Sequence, residues 1–368
     1  MSSQSPRPVR VLAFPKNGAN VYLNTFSHKL EAAGAQVDEF NFWRAFFGSY
    51  DVVHIHWPDT HLRTHSWWRA VGKHVRLALM CVVLRLRGTR IVWMMHNLKP
   101  HEKDHPISAW LFPRWFPQMS THVMALTSSG LAAARDYYPA LKRKPAAIVP
   151  HGHYLGEYAL TASREEYRRS LGLDPQRFTF VFFGNIRRYK NVPLLIETFQ
   201  RIPDTDVQLV IAGLPVLGMT VEALTAQAAG DERIHLHLKF VPDDEVAAYV
   251  GAADLLVLPF DSVLNSGSVL LALSLNRAVI APRVGALPDI EAEVGPRWLQ
   301  LYDGTLTSQI LMRAKDQHLV PQESERPDLS AFDWDAIARA ALAFYTDGSP
   351  DPQAGNGALA GEPRRQAS

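Results

Sequence analysis

The sequence predicts an α/β protein of two Rossmann-like domains facing a central cleft. Three observations predict it. Apolar runs of strand length alternate with stretches of helical periodicity, the pattern of a doubly wound parallel sheet. A polar stretch over residues 155–176, carrying Pro175, interrupts the alternation, which then restarts. At 368 residues the chain is long enough for two cores of ordinary size. Domains are therefore expected over 1–160 and 161–330, then a C-terminal helix over 331–346. The Gly-, Pro- and Ala-rich tail over 347–368 is expected to be disordered.

The elements follow in order. Val9 to Phe14 reads as a strand, Pro15 to Asn20 as a turn, Val21 to Ala33 as a helix closed by Gly34, and Gln36 to Phe40 as the next strand. The turn lacks a full G-x-G-x-x-G, so it carries no dinucleotide fingerprint. Asn17, Gly18 and Asn20 stay candidate residues of an N-domain or acceptor loop, as does His151. Asp51 to Asp59 is a buried strand running into a loop that ends on a carboxylate, and a carboxylate in such a place is seldom there for packing. From Ser66 to Leu86 a long helix carries an apolar stripe of Trp67, Trp68, Val71, Val75, Leu79, Val82, Val83 and Leu86. Two readings stay open: a helix packed on the sheet with a solvated basic edge, or one lying on an anionic membrane surface.

Thr89 to Met95 is a strand that delivers His96-Asn97-Leu98-Lys99-Pro100-His101-Glu102 at its C-terminal end, where open α/β sheets hold ligands. An aromatic cluster follows at Trp110, Leu111, Phe112, Trp115 and Phe116. Val123 to Thr127 and Ala147 to Pro150 are further strands, and His151-Gly152-His153-Tyr154 closes the domain. His54/His56 and His151/His153 share i,i+2 spacing and read as core or loop residues rather than metal ligands, so no metal site is expected.

The second half repeats the scheme. Strands are expected at Phe178 to Phe183, Val207 to Gly213, Ile234 to Phe240, Leu255 to Leu258 and Ala278 to Pro282, with helices at Pro193 to Arg201 and, last in the chain, Asp333 to Tyr345. After Leu258 a polar turn leads to Asn265 and Ser266, both good N-caps, and to Gly267, which admits a ligand close to the backbone. A helix opening there presents N–H groups and partial positive charge to a phosphate.

Charge is unevenly distributed. The net charge is +2, yet residues 1–150 hold 19 Lys and Arg against 8 Asp and Glu. Between Asp59 and Glu102 there are eight basic residues and no acidic one, and seven of the nine tryptophans precede residue 120. An anionic surface or ligand is therefore expected at the N-terminal half. Nucleic acid is disfavoured, because Trp and Leu interleave at helical spacing rather than as a stacking platform. The single Cys81 fits a reducing compartment, and the polar N-terminus lacks a signal core, so a cytoplasmic location is expected.

The C-terminal motifs resemble glycosyltransferases of the GT-B fold. Phe183-Gly184, Arg187 and Lys190 look like that group's donor-diphosphate loop. Phe240-Val241-Pro242 through Tyr249, with Ala252-Ala253-Asp254, looks like its nucleotide-recognising segment, and Pro259 to Leu273 like its donor helix. Retaining members commonly carry two glutamates eight positions apart around that helix. Val263 and Leu271 stand there instead, and neither accepts a hydrogen bond, which implies an inverting enzyme. A narrower similarity, carried by His54 to Asp59, His96 to Glu102, His151 to Tyr154, Ile186 to Lys190 and Asn265 to Ser268, is to the β-mannosyltransferase family of xanthan assembly.

That resemblance implies GDP-mannose as donor, a polyprenyl-diphosphate-linked oligosaccharide as acceptor in exopolysaccharide synthesis, and peripheral attachment to the inner membrane. UDP-glucose, UDP-glucuronate or GDP-fucose are the alternative donors. A sugar-nucleotide epimerase would share the fold but needs paired carboxylates. The donor-binding candidates are Gly184, Arg187, Lys190, Phe240, Val241, Asn265, Ser266, Gly267 and Ser268, with no metal or further cofactor. Candidates for the base are Asp59, His96 and Glu102, with His96 alternatively contacting the donor sugar.

Overall fold

A computed structural model describes residues 7–18, 21–98, 106–317 and 325–348. The chain divides into two compact units, one of residues 1–152 with 330–368 and the other of 153–329. The expected boundary at 160/161 thus moves to 152/153. The C-terminal helix, expected as an element outside both domains, belongs to the first unit. The tail over 349–368, and with it nearly all of the expected disordered segment, lies outside the described residues.

The first unit runs β1 (Arg10–Phe14), α1 (Val21–Ala32), β2 (Gln36–Glu39), α2 (Phe42–Phe47), β3 (Val52–Ile55), α3 (Pro58–Leu62), α4 (Trp67–Leu86), β4 (Arg90–Met95), α5 (Pro106–Met119), β5 (His122–Ala125), α6 (Ser128–Tyr137) and β6 (Ala146–Ile148). Its six strands are parallel in the order β2-β1-β3-β4-β5-β6. One face carries a core of Val11, Tyr22, Phe26, Leu30, Val52, Met94 and Met124, the other a core of Leu12, Val53, Leu77, Met80, Leu84, Trp93 and Phe116.

The second unit runs α7 (Arg164–Ser170), β7 (Phe178–Phe183), α8 (Val192–Gln200), β8 (Val207–Ala212), α9 (Val221–Ala228), β9 (Ile234–His237), α10 (Asp243–Gly251), β10 (Leu255–Val257), α11 (Gly267–Ser274), β11 (Ala278–Pro282), α12 (Leu287–Val294), β12 (Leu299–Tyr302) and α13 (Ser308–Asp316). Its parallel order is β12-β11-β10-β7-β8-β9. Asp254, just before β10, accepts from Arg164 at 2.8 Å, Arg168 at 2.5 Å and the Thr179 N–H at 2.7 Å. This buried carboxylate ties α7 to the sheet, so its observed work is structural.

The last helix, α14 (Trp334–Asp347), packs against α1 and inserts Trp334, Ile337, Ala341, Phe344 and Tyr345 into the first core. Its N-cap Asp333 accepts from Ala336 N–H at 2.8 Å. Gly152 must be glycine to fit beneath it, since a Cβ there would stand 2.1 Å from the Trp334 ring.

Candidate active site

In the second unit β7 ends on Phe183, and Gly184 follows at φ +118°, a conformation that other residues rarely adopt. A Cβ on Gly184 would lie 3.0 Å from Lys190 Nζ and 3.5 Å from Ser268 Oγ. Three of the residues expected at a diphosphate site therefore converge on one point at the N-terminus of α11. Ser266 is the N-cap as expected, its Oγ accepting from Val269 N–H at 3.3 Å. The N–H groups of Gly267 and Ser268 precede the first intrahelical bond.

Two further glycines shape this point, and the sequence reading gave neither a role. A Cβ on Gly213, at φ +148°, would strike the Gly184 carbonyl oxygen at 2.1 Å. One on Gly285, at φ +57°, would strike the Val263 carbonyl at 1.7 Å. A glycine that ends an apolar strand was the available signal for Gly213.

Lys190 brings a buried cation to this point. It is 8% exposed, faces the Phe182 ring with Nζ 5.7 Å from the centroid, and has no carboxylate within ion-pair distance among the described residues. Burial first, then the Arg187 charge, lowers its pKa to about 8. An ammonium withdrawn from water without a counter-charge is unfavourable until an anion joins it. The loop is pinned from the other side: Asn191, left-handed at φ 55°, donates from Nδ2 to Asp261 Oδ1 at 2.6 Å, and Asp261 N–H donates to the Tyr189 carbonyl at 2.8 Å.

The remaining donor candidates are placed less tightly. Arg187 and Asn265 are half-buried in the two loops. β9 ends at His237 rather than at Phe240, because a turn begins there. Phe240 stands 68% exposed, with Val241 half-buried just before α10. Leu271 is buried, as is most of α11, and the Val263 carbonyl lies against Gly285, so neither site of the missing glutamates offers a polar side chain.

In the first unit β3 stops at Ile55, not at a carboxylate. Pro58 at the helix N-terminus starts α3, and Asp59 lies in its first turn. The expected loop-end carboxylate is thus a helix residue, 17% exposed, 3.8 Å from Arg63. β3 and β4 are adjacent, which brings His56, just past one, beside His96, just past the other. Their ring nitrogens His56 Nδ1 and His96 Nε2 lie 2.9 Å apart. Asp59, His56 and His96 line one cavity of about 20 Å³ with Trp57, Asn97 and Tyr138, room for about one water. Asp59 is the one carboxylate in that wall among the described residues, where an epimerase would need a pair.

The histidines form a column. His54 stacks on His56 with centroids 4.3 Å apart, and His96 stacks on Trp57 at 4.3 Å. His54 Nδ1 is hydrogen-bonded to the Tyr345 hydroxyl of α14. His54 and His56 are buried as expected of core residues, yet His54 Nε2 has no hydrogen-bond partner among the described residues. His151 lies 4.6 Å from the Tyr22 ring, with Nδ1 2.8 Å from the Gly152 carbonyl. Burial lowers the pKa of His56 to about 3 and of His151 to about 4. Burial, then the neighbouring histidines, places His54 and His96 well below the ordinary value. All four are neutral at physiological pH.

Two loop candidates hold themselves together. Asn17 N–H donates to Glu39 Oε2 at 3.0 Å and Gly18 N–H to Asn24 Oδ1 at 3.1 Å, so these donors are taken up by the end of β2 and the first turn of α1. Asn20 and Glu102 lie outside the described residues. Among the described residues no group of three His, Cys, Asp or Glu is arranged to hold a metal ion.

Residues 177–304 match the family model described as glycosyl transferases group 1. The chain is 32% identical, over 90% of its length and 90% of the relative's, to a GDP-mannose:glycolipid 4-β-D-mannosyltransferase of Xanthomonas campestris pv. campestris. It is 29% identical, over 65% of its length and 56% of the relative's, to a D-inositol 3-phosphate glycosyltransferase of Pseudarthrobacter chlorophenolicus. Among solved structures, sucrose-phosphate synthase from Thermosynechococcus elongatus is similar with TM-score 0.67 and 16% identity, covering 92% of this chain and 98% of that one.

Proposed function

The chain belongs to the glycosyltransferases of the GT-B fold, in the family of that mannosyltransferase, and we propose that it transfers mannose from GDP-mannose, with inversion, to a polyprenyl-diphosphate-linked oligosaccharide in exopolysaccharide synthesis. The observation that carries the donor half is the convergence of Gly184, Lys190 and Ser268 on the opening of α11. A buried ammonium and the first N–H groups of a helix supply positive charge for a departing diphosphate. The donor identity is read from the relative's name, and inversion from the apolar Val263 and Leu271.

On this reading an acceptor hydroxyl attacks the anomeric carbon, the bond to the diphosphate breaks, and one base takes the hydroxyl proton. Asp59 is assigned as that base. Because protein groups meet the diphosphate charge, transfer is expected to continue in excess EDTA. Thermal-shift measurements with GDP, UDP and ADP test the donor. At a hundred times its Kd, GDP should add about 2.7 kcal/mol of stability, a shift of several degrees. Stabilisation by UDP instead would replace the donor with a UDP-sugar.

The acceptor half rests on the surface of α4. Trp68, Val75, Leu79, Val82 and Leu86 are between 42% and 84% exposed, while Ala70, His74, Leu77, Cys81 and Leu84 are buried. At 100° per residue the exposed five fall within an arc of about 60°, opposite the buried set. The expected stripe is therefore the outward side of α4, an apolar ridge, and the helix packs on the sheet through a second set of residues outside the stripe. Exposed Arg69, Arg76, Arg85 and Arg87 flank the ridge, and the adjoining α2 and α5 add exposed Trp43, Phe47 and Trp110.

Among the described residues no helix is long and apolar enough to cross a membrane. An apolar ridge edged by arginines suits the surface of an anionic bilayer. The protein is expected to sediment with phosphatidylglycerol vesicles and to be released progressively between about 0.1 and 1 M salt as the Debye length shrinks. Trp68→Ser with Leu86→Ser should reduce binding without loss of fold. Equal recovery with neutral vesicles would refute this surface.

A further inference from the structure

We propose that His56 is a positioning residue that holds His96 in one neutral tautomer and one ring orientation, and that Tyr345 of the C-terminal helix, through His54, holds His56. The argument is geometric. Two hydrogen-bonded pairs, Tyr345 with His54 and His56 with His96, are joined by the 4.3 Å stack of His54 on His56. A stack conducts no proton, so this column is a scaffold and not a relay.

Between two neutral imidazoles a single hydrogen bond has one proton, and each ring carries one N–H. If His56 Nδ1 donates, His96 Nε2 accepts and the His96 proton sits on Nδ1. If His96 Nε2 donates, its Nδ1 is the bare nitrogen. The 2.9 Å contact therefore locks the two tautomers together. Trp57, stacked 4.3 Å from His96 at 25°, fixes the plane in which that choice is presented to the Asp59 cavity. Tyr22 closes the side, its ring nearly perpendicular to His96 at 5.4 Å.

The origin of the far anchor is the unexpected part. Tyr345 is fully buried, on a helix that follows the whole second unit in the chain yet folds into the first. Trp334 on the same helix packs 5.6 Å from Tyr22 and covers Gly152. The segment that completes the histidine column is thus supplied by α14, the last helix among the described residues.

The role of His96 at the reaction rests on the reading above, so the test has one arm that does not. In protein labelled with 15N-histidine, His96 is identified by the signal lost in His96→Gln. The wild type should show the shift pair of a single neutral tautomer. His56→Phe keeps a flat ring for the stack and removes the nitrogen, and should move His96 to the averaged shifts of mixed tautomers. His56→Asn places an amide where Nδ1 stood and should restore the wild-type pattern. Should His56→Phe fail to fold, the comparison becomes His56→Asn against His56→Gln, whose amide reaches the other ring position.

Tyr345→Phe should shift the His54 signal and broaden that of His56. In the second arm, His56→Phe should raise the donor KM for GDP-mannose transfer roughly tenfold, the size of one hydrogen bond weakened, with kcat little changed, and His56→Asn should recover most of it. Unchanged His96 shifts in His56→Phe would overturn the proposal. Changed shifts with no transfer by the wild type would keep the column and overturn the donor reading instead.

Discussion

Replacing Lys190 with methionine is expected to weaken GDP binding by about 2–3 kcal/mol, roughly 30- to 150-fold in Kd, the size of one charge-assisted hydrogen bond lost. The same substitution should raise the melting temperature of the nucleotide-free protein. Both signs come from one fact: the ammonium is buried beside Phe182 with no carboxylate partner among the described residues. Methionine keeps the stem and removes the charge that the fold disfavours.

A pH dependence follows with a definite sign. The folded pKa of Lys190, about 8, lies below the ordinary 10.5. Between those values the unfolded chain binds the extra proton, so this group makes the free protein more stable as pH rises through that window. Nucleotide binding runs the other way. A diphosphate favours the charged lysine, so binding above pH 8 takes up a proton and affinity falls as pH climbs. Calorimetry in two buffers of different ionisation enthalpy measures the uptake. A Lys190→Met protein that binds GDP like the wild type and melts lower would remove the lysine from the site.

The placement of the donor candidates was legible in the sequence because their local structure is short-range. Gly184, Lys190 and the Ser266 cap sit on short loops after strands, where strand pattern, glycine and N-cap each leave a mark within a few residues. Gly285 left no mark because the backbone that leaves no room for a side chain there, at Val263, is more than twenty positions away. The histidine column was read correctly as buried but not as connected. Its joining contact, Tyr345 on His54, spans 291 positions, and no periodicity foretells it. The α4 stripe shows another limit. Apolar residues at helical spacing left a core helix and a surface helix both open; the stripe they form is the outward side of α4, and its core face is built from Ala70, His74, Leu77, Met80, Cys81 and Leu84, none of them in the stripe. Periodicity counts apolar positions and does not say which of them find a partner.

Asp59→Asn is expected to lower turnover by roughly 10²- to 10⁴-fold, the usual contribution of a positioned general base, with GDP affinity unchanged because the donor candidates lie in the other unit. The amide matches the carboxylate in shape and retains an oxygen toward Arg63, 3.8 Å away in the wild type, so folding should survive. The competing base is His96, in the same cavity wall. Burial and two neighbouring histidines hold its pKa well below the ordinary value, so accepting a proton there charges a desolvated ring beside other desolvated rings. A base that cannot keep a proton contributes little, whereas an imidazole fixed in one neutral tautomer is well suited to hydrogen-bonding a sugar hydroxyl. Measuring kcat and donor KM for Asp59→Asn and His96→Gln side by side separates the two. The expected pattern is a collapse of kcat in the first and a rise of donor KM in the second. A collapse of kcat in His96→Gln with near-normal transfer by Asp59→Asn would exchange the two roles, and near-normal transfer by both would pass the base to Glu102.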